Sequence, residues 1–390
     1  MSKRKPSSLG IGSRKTPRNL SKSSLGEELF REVRERVLAQ YGPENVLDAD
    51  LDYFAKYRST CKGVKPSLAA IDYEEFLGFL DVEHALGFRG GDSITSEGNE
   101  TQLIVKKLIG QILQERMPRL PCDLPSLYLE FAAHLGPGDR VLTFNYDTLL
   151  EQALTAVGKP FRLFPNRFES VDPRHGYGVL DNSLEEVVVL KLHGSVDWFD
   201  RAPYEEVMAA VGDPKYVPKW YPHFADSNPY ALAPLLEGLQ MPDDPMLRIH
   251  RMRNLSAYYS QPFVPQPPFV LTPSASKILY FELLKPLWGG IGGAGGLNLG
   301  MAIIGYSLPP HDAHARQAIY RLTDNYTHFE PDLEIGGVKK LPLRIVNLAH
   351  NDSDVSEFRS RYGFIDWSRT ETSLDGFGDA AIEFIFGERA

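Results

Sequence analysis

The apolar positions of the first third of the chain recur at helical spacing. Leu29, Phe30, Val33, Val37, Leu38 and Tyr41 share one face of a segment over 25–41, with Glu27 and Glu28 near its start. The same spacing predicts amphipathic helices over 46–58 and 71–86, with a polar, glycine-containing loop over 89–99. Leu103, Ile104, Leu108, Ile109, Ile112, Leu113 and Met117 mark a long helix that ends near Pro118. Another, over 124–135, closes at Gly136-Pro137-Gly138. The period then shortens. Residues 141–144 form a short apolar strand, followed by Asn145-Tyr146-Asp147 and a helix through Leu149, Leu150 and Ala153, which is half of a βαβ unit. Val187-Val188-Val189 leads a run to Leu192 that reads as a buried strand, because valine's stiff χ1 suits a pleated surface. That strand stops at His193-Gly194-Ser195.

Periodicity fades over 200–265, a stretch rich in Pro, Tyr, His and Met with helical fragments near 204–210 and 230–238. It reads as an insertion lying over the sheet edge. Strand character returns at 268–271, a helix at 278–288 and a strand at 301–304, with a helix starting near Pro309 or Pro310. Residues 343–348 are the last clear strand, and the aromatic-rich tail, 366–390 in particular, is expected to cover the sheet or contact another subunit. The glycine run over 289–296 follows a helix and lacks a Gly-Lys-Ser/Thr end, so it reads as a connection and not a phosphate loop. The class is therefore α/β: a mostly parallel sheet, a helical N-terminal layer over 25–140 and an inserted helical or loop subdomain.

Composition narrows the picture. At 390 residues, 43% of them hydrophobic, the chain can bury a sizeable core, and its formal net charge of −9 gives no general nucleic-acid footprint. The local exception is 1–24, where Lys3, Arg4, Lys5, Arg14, Lys15, Arg18 and Lys22 precede the first acid. This reads as a solvated, partly disordered arm that can contact phosphates or a partner, so nucleic acid is expected only indirectly or through this arm. Cys61 and Cys122 are too few for a four-thiolate zinc site or a disulfide framework, so a reduced, cytoplasmic setting is expected. No run reaches the ~18 apolar residues of a membrane helix, and the basic start has no apolar segment of a signal peptide.

Four strands end alike: Phe144 into Asn145, Leu192 into His193, Ile304 into Gly305-Tyr306-Ser307, Val346 into Asn347. A parallel sheet puts those polar ends on one rim, where α/β proteins bind ligands. The rim has no Gly-x-Ser-x-Gly elbow, no His-Glu-x-x-His and no paired carboxylates at hydrolase spacing. His311 and His314 fall at i and i+3 without a third strong ligand, so no metal is expected. A neutral rim of this kind suits a nucleotide, with Asn and Ser for ribose hydroxyls and glycine turns for phosphates. Taken alone, His193 is a base or a satisfied loop residue, and Asn145 a positioning group or an Asx turn. Asp147 reads mainly as a helix cap or a pin for the Asn145 loop. Asp197 holds the His-Gly-Ser turn, and Trp198 packs it or walls the ligand.

Three segments together resemble the signatures of prokaryotic SIR2-like proteins, distant relatives of sirtuins: Thr143-Phe144-Asn145-Tyr146-Asp147, Lys191-Leu192-His193-Gly194-Ser195-Val196-Asp197-Trp198, and Ile303-Ile304-Gly305-Tyr306-Ser307-Leu308-Pro309-Pro310-His311-Asp312. The segment 273–288 resembles the region before the third signature, so the likeness covers roughly 141–365. The resemblance implies a Rossmann-like NAD-binding core in which Asn145 and His193 are the catalytic pair. It further implies that Gly305 and Ser307 hold phosphate and ribose, that Asn347 touches the adenosine ribose, and that Asp147 and Ser195 lie in the cofactor turns. Leu9-Gly10-Ile11-Gly12-Ser13 resembles a shortened form of the family's pyrophosphate loop, with Gly10, Gly12 and Ser13 as its contacts, although Met1 to Ser8 cannot be a good first strand. Many relatives hydrolyse NAD+ in antiphage defence, often as homo-oligomers and sometimes beside an ATPase or an Argonaute-type protein. The expected activity is therefore NAD+ glycohydrolysis to nicotinamide and ADP-ribose, without zinc. A catalytically weak nucleotide-binding subunit is the alternative, then a deacylase or ADP-ribosyltransferase.

Overall fold

Four helices open the structure, a computed structural model that describes residues 25–63, 71–89, 98–181, 186–212, 224, 229–261, 266–274, 276–309 and 312–387. The basic arm with Gly10, Gly12 and Ser13, most of the 89–99 loop, and His311 lie outside the described residues. The helices are α1 (Leu25–Tyr41), α2 (Val46–Lys62), α3 (Tyr73–Ala85) and α4 (Glu100–Arg116). Each of the last three starts at a side chain that accepts from the first turn: Asn45 for α2, Asp72 for α3, and Asn99 with Gln102 as a reciprocal capping box for α4. Their apolar faces meet in a core of their own, in which Val33, Leu47, Phe54, Phe76, Leu80, Val105 and Ile112 are essentially inaccessible. Each such side chain contributes about 1.5–3 kcal/mol by leaving water.

Beyond α5 (Ser126–His134) the chain enters the first parallel sheet with β1 (Arg140–Thr143), then α6 (Leu149–Ala156) and β2 (Phe161–Arg162). A hairpin, β3 (Phe168–Asp172) with β4 (Tyr177–Leu180), precedes β5 (Val187–Lys191), which takes the middle place between β1 and β2. All five residues of β5 are buried, as a strand covered on both faces requires. The insertion builds an antiparallel sheet from β6 (Trp198–Asp200), β7 (Leu232–Pro234) and β8 (Ile249–Met252), with α7 (Ala202–Val211) and α8 (Leu255–Tyr259). The expected helical fragment at 230–238 is instead the edge strand β7. Pro234 removes the amide a helix interior needs, and an edge tolerates that loss.

Short turns replace the helix expected at 278–288, leaving only α9 (Lys285–Trp288) with Pro286 in its first turn. The glycine run then packs on α10 (Ala313–His328): Asn325 donates to the carbonyl of Gly292 at 2.8 Å, and a Cβ at Gly295 would meet the Leu322 carbonyl at 3.1 Å. A second parallel sheet follows, with β9 (Ala302–Ile304) and β12 (Leu343–Val346), after the small hairpin β10 (Glu334–Ile335) and β11 (Val338–Lys339). Past α11 (Asp352–Arg361), the tail supplies β13 (Thr370–Ser373), paired parallel to β12, and α12 (Asp379–Phe386), which lies against α5. The parallel core is thus two three-stranded sheets, β1–β5–β2 and β13–β12–β9. Phe144 and Met301 pack into the hydrophobic cores of both. No described helix is long and apolar enough to cross a membrane.

Candidate functional site

Register places the strand-end residues. Thr143 pairs with Lys191, and the amide of Leu192 donates to the carbonyl of Thr143 at 2.9 Å, so Asn145 and His193 stand two residues past the last rung on neighbouring strands. In the second sheet Ile304 pairs with Val346, which puts Gly305 and Asn347 level, one residue beyond. The two rims meet where Phe144 stacks on Tyr306, ring centroids 4.4 Å apart.

The His-Gly-Ser turn is held by an extended segment that carries no regular strand. Residues 268–271, read from sequence as a strand, make only an isolated bridge from Val270 to Gly194. Pro267 and Pro268 supply no donors for a ladder. What the segment does is lace the turn: Ser195 N donates to Phe269 O at 3.1 Å, Phe269 N to Trp198 O at 2.7 Å, and Leu271 N to His193 O at 2.9 Å. The approach is so close that a Cβ on Gly194, at φ +81°, would lie 2.2 Å from the Phe269 carbonyl oxygen. Only glycine fits. Ser195 is fully buried and its hydroxyl is committed to Asp197 Oδ1 at 2.5 Å, while Arg251 Nε holds Asp197 Oδ2 at 2.7 Å. Trp198 is a core side chain at 0% exposure, packed beneath the turn.

The Asn145 loop is tied from below. Lys191, buried at the end of β5, pairs with Glu151 of α6 at 2.8 Å and also donates to the carbonyl of Asp147. Asp147 Oδ1 in turn accepts from Leu149 N at 3.0 Å, a turn bond at the start of α6. Asn145 itself is exposed at the rim, its amide donating to Thr143 Oγ1. Gly305 and Ser307 are exposed as well, and Asn347 is half-buried. Gly305 has φ +63° with open space where a Cβ would sit, which leaves its backbone approachable.

His193 is 4% exposed and boxed by rings: Phe144 at 4.9 Å, Trp288 at 6.5 Å and His314 at 5.6 Å between centroids. Its Nε2 lies 3.4 Å from Nε2 of His314, the second residue of α10. Beside them, Asp312 stands at the N-cap of α10 but makes no capping bond. Its carboxylate instead takes the Lys277 ammonium on Oδ1 and the Tyr306 hydroxyl on Oδ2, the latter at 2.8 Å. Burial pushes the His193 imidazole well below the usual histidine range, and Lys277 pushes it the same way. His314 is lowered to about 4 by burial and Lys277. Burial raises the Asp312 carboxyl, yet Lys277, with His193 and the Tyr306 hydroxyl, brings the net shift downward. Both imidazoles are neutral at pH 7 in consequence.

The ligating atoms of His193, Asp312 and His314 lie within 4.8 Å of one another, a spread a metal ion could bridge. The Asp312 carboxylate is already paired with the Lys277 ammonium, a charge that a metal ion would have to compete with. From the sequence His314 reads only as a partner of His311 for a metal, and nothing there assigns a role to Lys277, Asp312 or Trp288. Asp312 stands just before a helix, where an aspartate is ordinary, and Lys277 falls in a serine-rich loop without pattern.

Residues 139–218 match the family model of the SIR2-like domain. The match runs from the residue before β1 through α7, covering Asn145 and His193 and ending before Lys277, Gly305 and Asn347. No curated protein matches the chain. The stretch that carries the two facing turns is therefore similar to the SIR2-like domain.

Proposed function

We propose that the protein cleaves the nicotinamide N-glycosidic bond of NAD+ to give nicotinamide and ADP-ribose. The observation that carries this reading is the level placement of Asn145 and a neutral His193 at the ends of adjacent parallel strands. Nicotinamide leaves as a neutral group, so the protein needs to hold the ribose, stabilise positive charge at C1′ and activate water. In this reading Asn145 orients the ribose or the water, and His193 accepts the proton released when water adds to C1′. Gly305, Ser307 and Asn347 fit the phosphate and adenosine-ribose end, since the Gly305 backbone is exposed with open space above it. Gly10, Gly12 and Ser13 would complete the pyrophosphate contacts.

The wider reading places the protein in the cytoplasm, in antiphage defence by NAD+ depletion, as a homo-oligomer activated in a complex with an ATPase or Argonaute-type partner. A nucleotide-binding subunit of low activity is favoured by one observation, the closure of aromatic rings around His193. A deacylase is disfavoured because two cysteines cannot supply a four-thiolate zinc module. Incubating the full chain with NAD+, with and without an acetylated peptide, separates these readings by nicotinamide release. Release that is independent of peptide and abolished by His193→Ala is the expected result. No release under either condition, with the cognate partner added, would overturn the enzyme reading.

A further inference from the structure

We infer that His314 is a positioning residue for His193, holding it in one tautomer and receiving its proton through the Nε2–Nε2 contact. The inference rests on the reading of His193 as the base and goes beyond it by naming where the proton goes.

Two imidazole Nε2 atoms at 3.4 Å, both rings neutral, interact favourably only if one carries the proton and the other offers its lone pair. His193 is enclosed at 4% exposure, whereas His314 is half-buried and nearer solvent. An imidazolium costs less where water reaches it, so the sense of transfer is outward. His193 keeps its hydrogen on Nε2, directed at His314, which leaves its Nδ1 lone pair to take a proton from the reacting water. When water adds to C1′ as the C1′–N bond breaks, the bonding pair leaves with nicotinamide. The water proton goes to His193 Nδ1, the Nε2 proton passes to His314, and His314 releases it to solvent. One water is consumed and one proton is released for each NAD+.

The surroundings fit this role. The groups facing the pair are Lys277 and Asp312, which form a buried ion pair, with Tyr306 donating to the same carboxylate. Burial, with Lys277 beside it, keeps both rings neutral at rest, so His314 has a lone pair to offer when the proton arrives. His314 is fixed by ring contacts to Phe281 at 4.8 Å and Trp288 at 5.3 Å.

The test uses the full chain with NAD+ and follows nicotinamide release. His314→Phe keeps a ring against Phe281 and Trp288 but has no nitrogen, and His314→Gln restores a hydrogen-bonding group without a titrating one. His314→Phe should lower kcat about 10- to 100-fold, within the ~10²–10⁴ that acid–base catalysis supplies, with KM within about threefold. His314→Gln should recover part of that loss. Independently of turnover, side-chain 15N shifts of histidine-labelled protein should give His193 as a single Nε2–H tautomer in the parent and a mixture in His314→Phe. An inactive His193→Ala alongside a His314→Phe with parental kcat and parental shifts would overturn this inference alone. Unchanged turnover in His193→Ala would overturn the reading of the base beneath it. If the parent chain releases no nicotinamide, the 15N shifts decide.

Discussion

Glu151→Ala is the sharpest test of how the Asn145 loop is held. Glu151 and Lys191 are 2% and 1% exposed and 2.8 Å apart, so removing the carboxylate strands an ammonium in the core. Breaking a buried pair in this way costs about 3–5 kcal/mol. At about 2 °C per kcal/mol for a chain of this size, the melting midpoint should fall by about 6–10 °C. A second variant, Glu151→Leu with Lys191→Met, removes both charges, and such apolar replacements are commonly neutral or stabilising. It should recover most of the stability. It should not recover NAD+ cleavage, because Lys191 also donates to the carbonyl of Asp147 and so braces the Asn145 turn. Thermal melts and urea titrations give the stability, and nicotinamide release gives the activity. A loss below about 1 kcal/mol for Glu151→Ala, or full activity in the double variant, would refute the argument.

Other expectations follow from the same geometry. Gly194→Ala sets a Cβ 2.2 Å from the Phe269 carbonyl at a positive φ, and should cost about 1–3 kcal/mol or more and abolish turnover; parental stability would contradict the turn's close packing. His193 and His314 have folded pKa values below the ordinary 6.5, with His314 at about 4, so the unfolded chain binds more protons at mildly acidic pH. Stability should accordingly be full above pH 6.5 and fall as pH drops from there toward 4, a slope that His314→Phe reduces in pH-dependent urea melts. Lys277→Met removes the positive charge that lowers both imidazoles and leaves Asp312 unpaired, so the acid limb of the activity profile should move to higher pH.

How much was legible in the sequence depended on the range of the interaction. Helices α1 to α4 declared themselves because their apolar stripes are local and repeat every turn. Strand β5 did so because a fully buried strand is a run of valines. β13 was not legible: Thr-Glu-Thr-Ser has no apolar alternation, and its four residues become a strand only because β12 offers an open edge. At the site, Asn145 and His193 were legible as polar residues at strand ends, since register follows from parallel pairing. His314 touches His193 across 121 residues of chain, and no period or spacing encodes such a contact. Asp312 was hidden for another reason, since an aspartate before a helix already has a sufficient local explanation. Only the diversion of its carboxylate to Lys277 and Tyr306 marks it as part of the site.

The segment around 266–280 explains why the helical layer belongs to the site as well as to the fold. Phe269 and Leu271 bind the His193 turn, and Lys277, a few residues on, neutralises Asp312. Between them Ser274, fully buried, donates to Asp81 of α3, and Asp81 Oδ1 also accepts from Gln102 of α4 at 2.6 Å. Tyr280 closes the same seam through its hydroxyl, 2.7 Å from Nδ1 of His84. A single stretch therefore reads the position of α3 and α4 at one end and sets the charge beside His193 at the other. Burial raises the Asp81 carboxyl above its ordinary value, so this junction is costly to ionise and depends on its hydrogen bonds being kept. Asp81→Ala should lower the activity of the site through Lys277 without touching any residue on the rim. The 15N shifts of His193 and His314 would register that as a loss of the Lys277 field, and unchanged shifts would show the two ends to be independent.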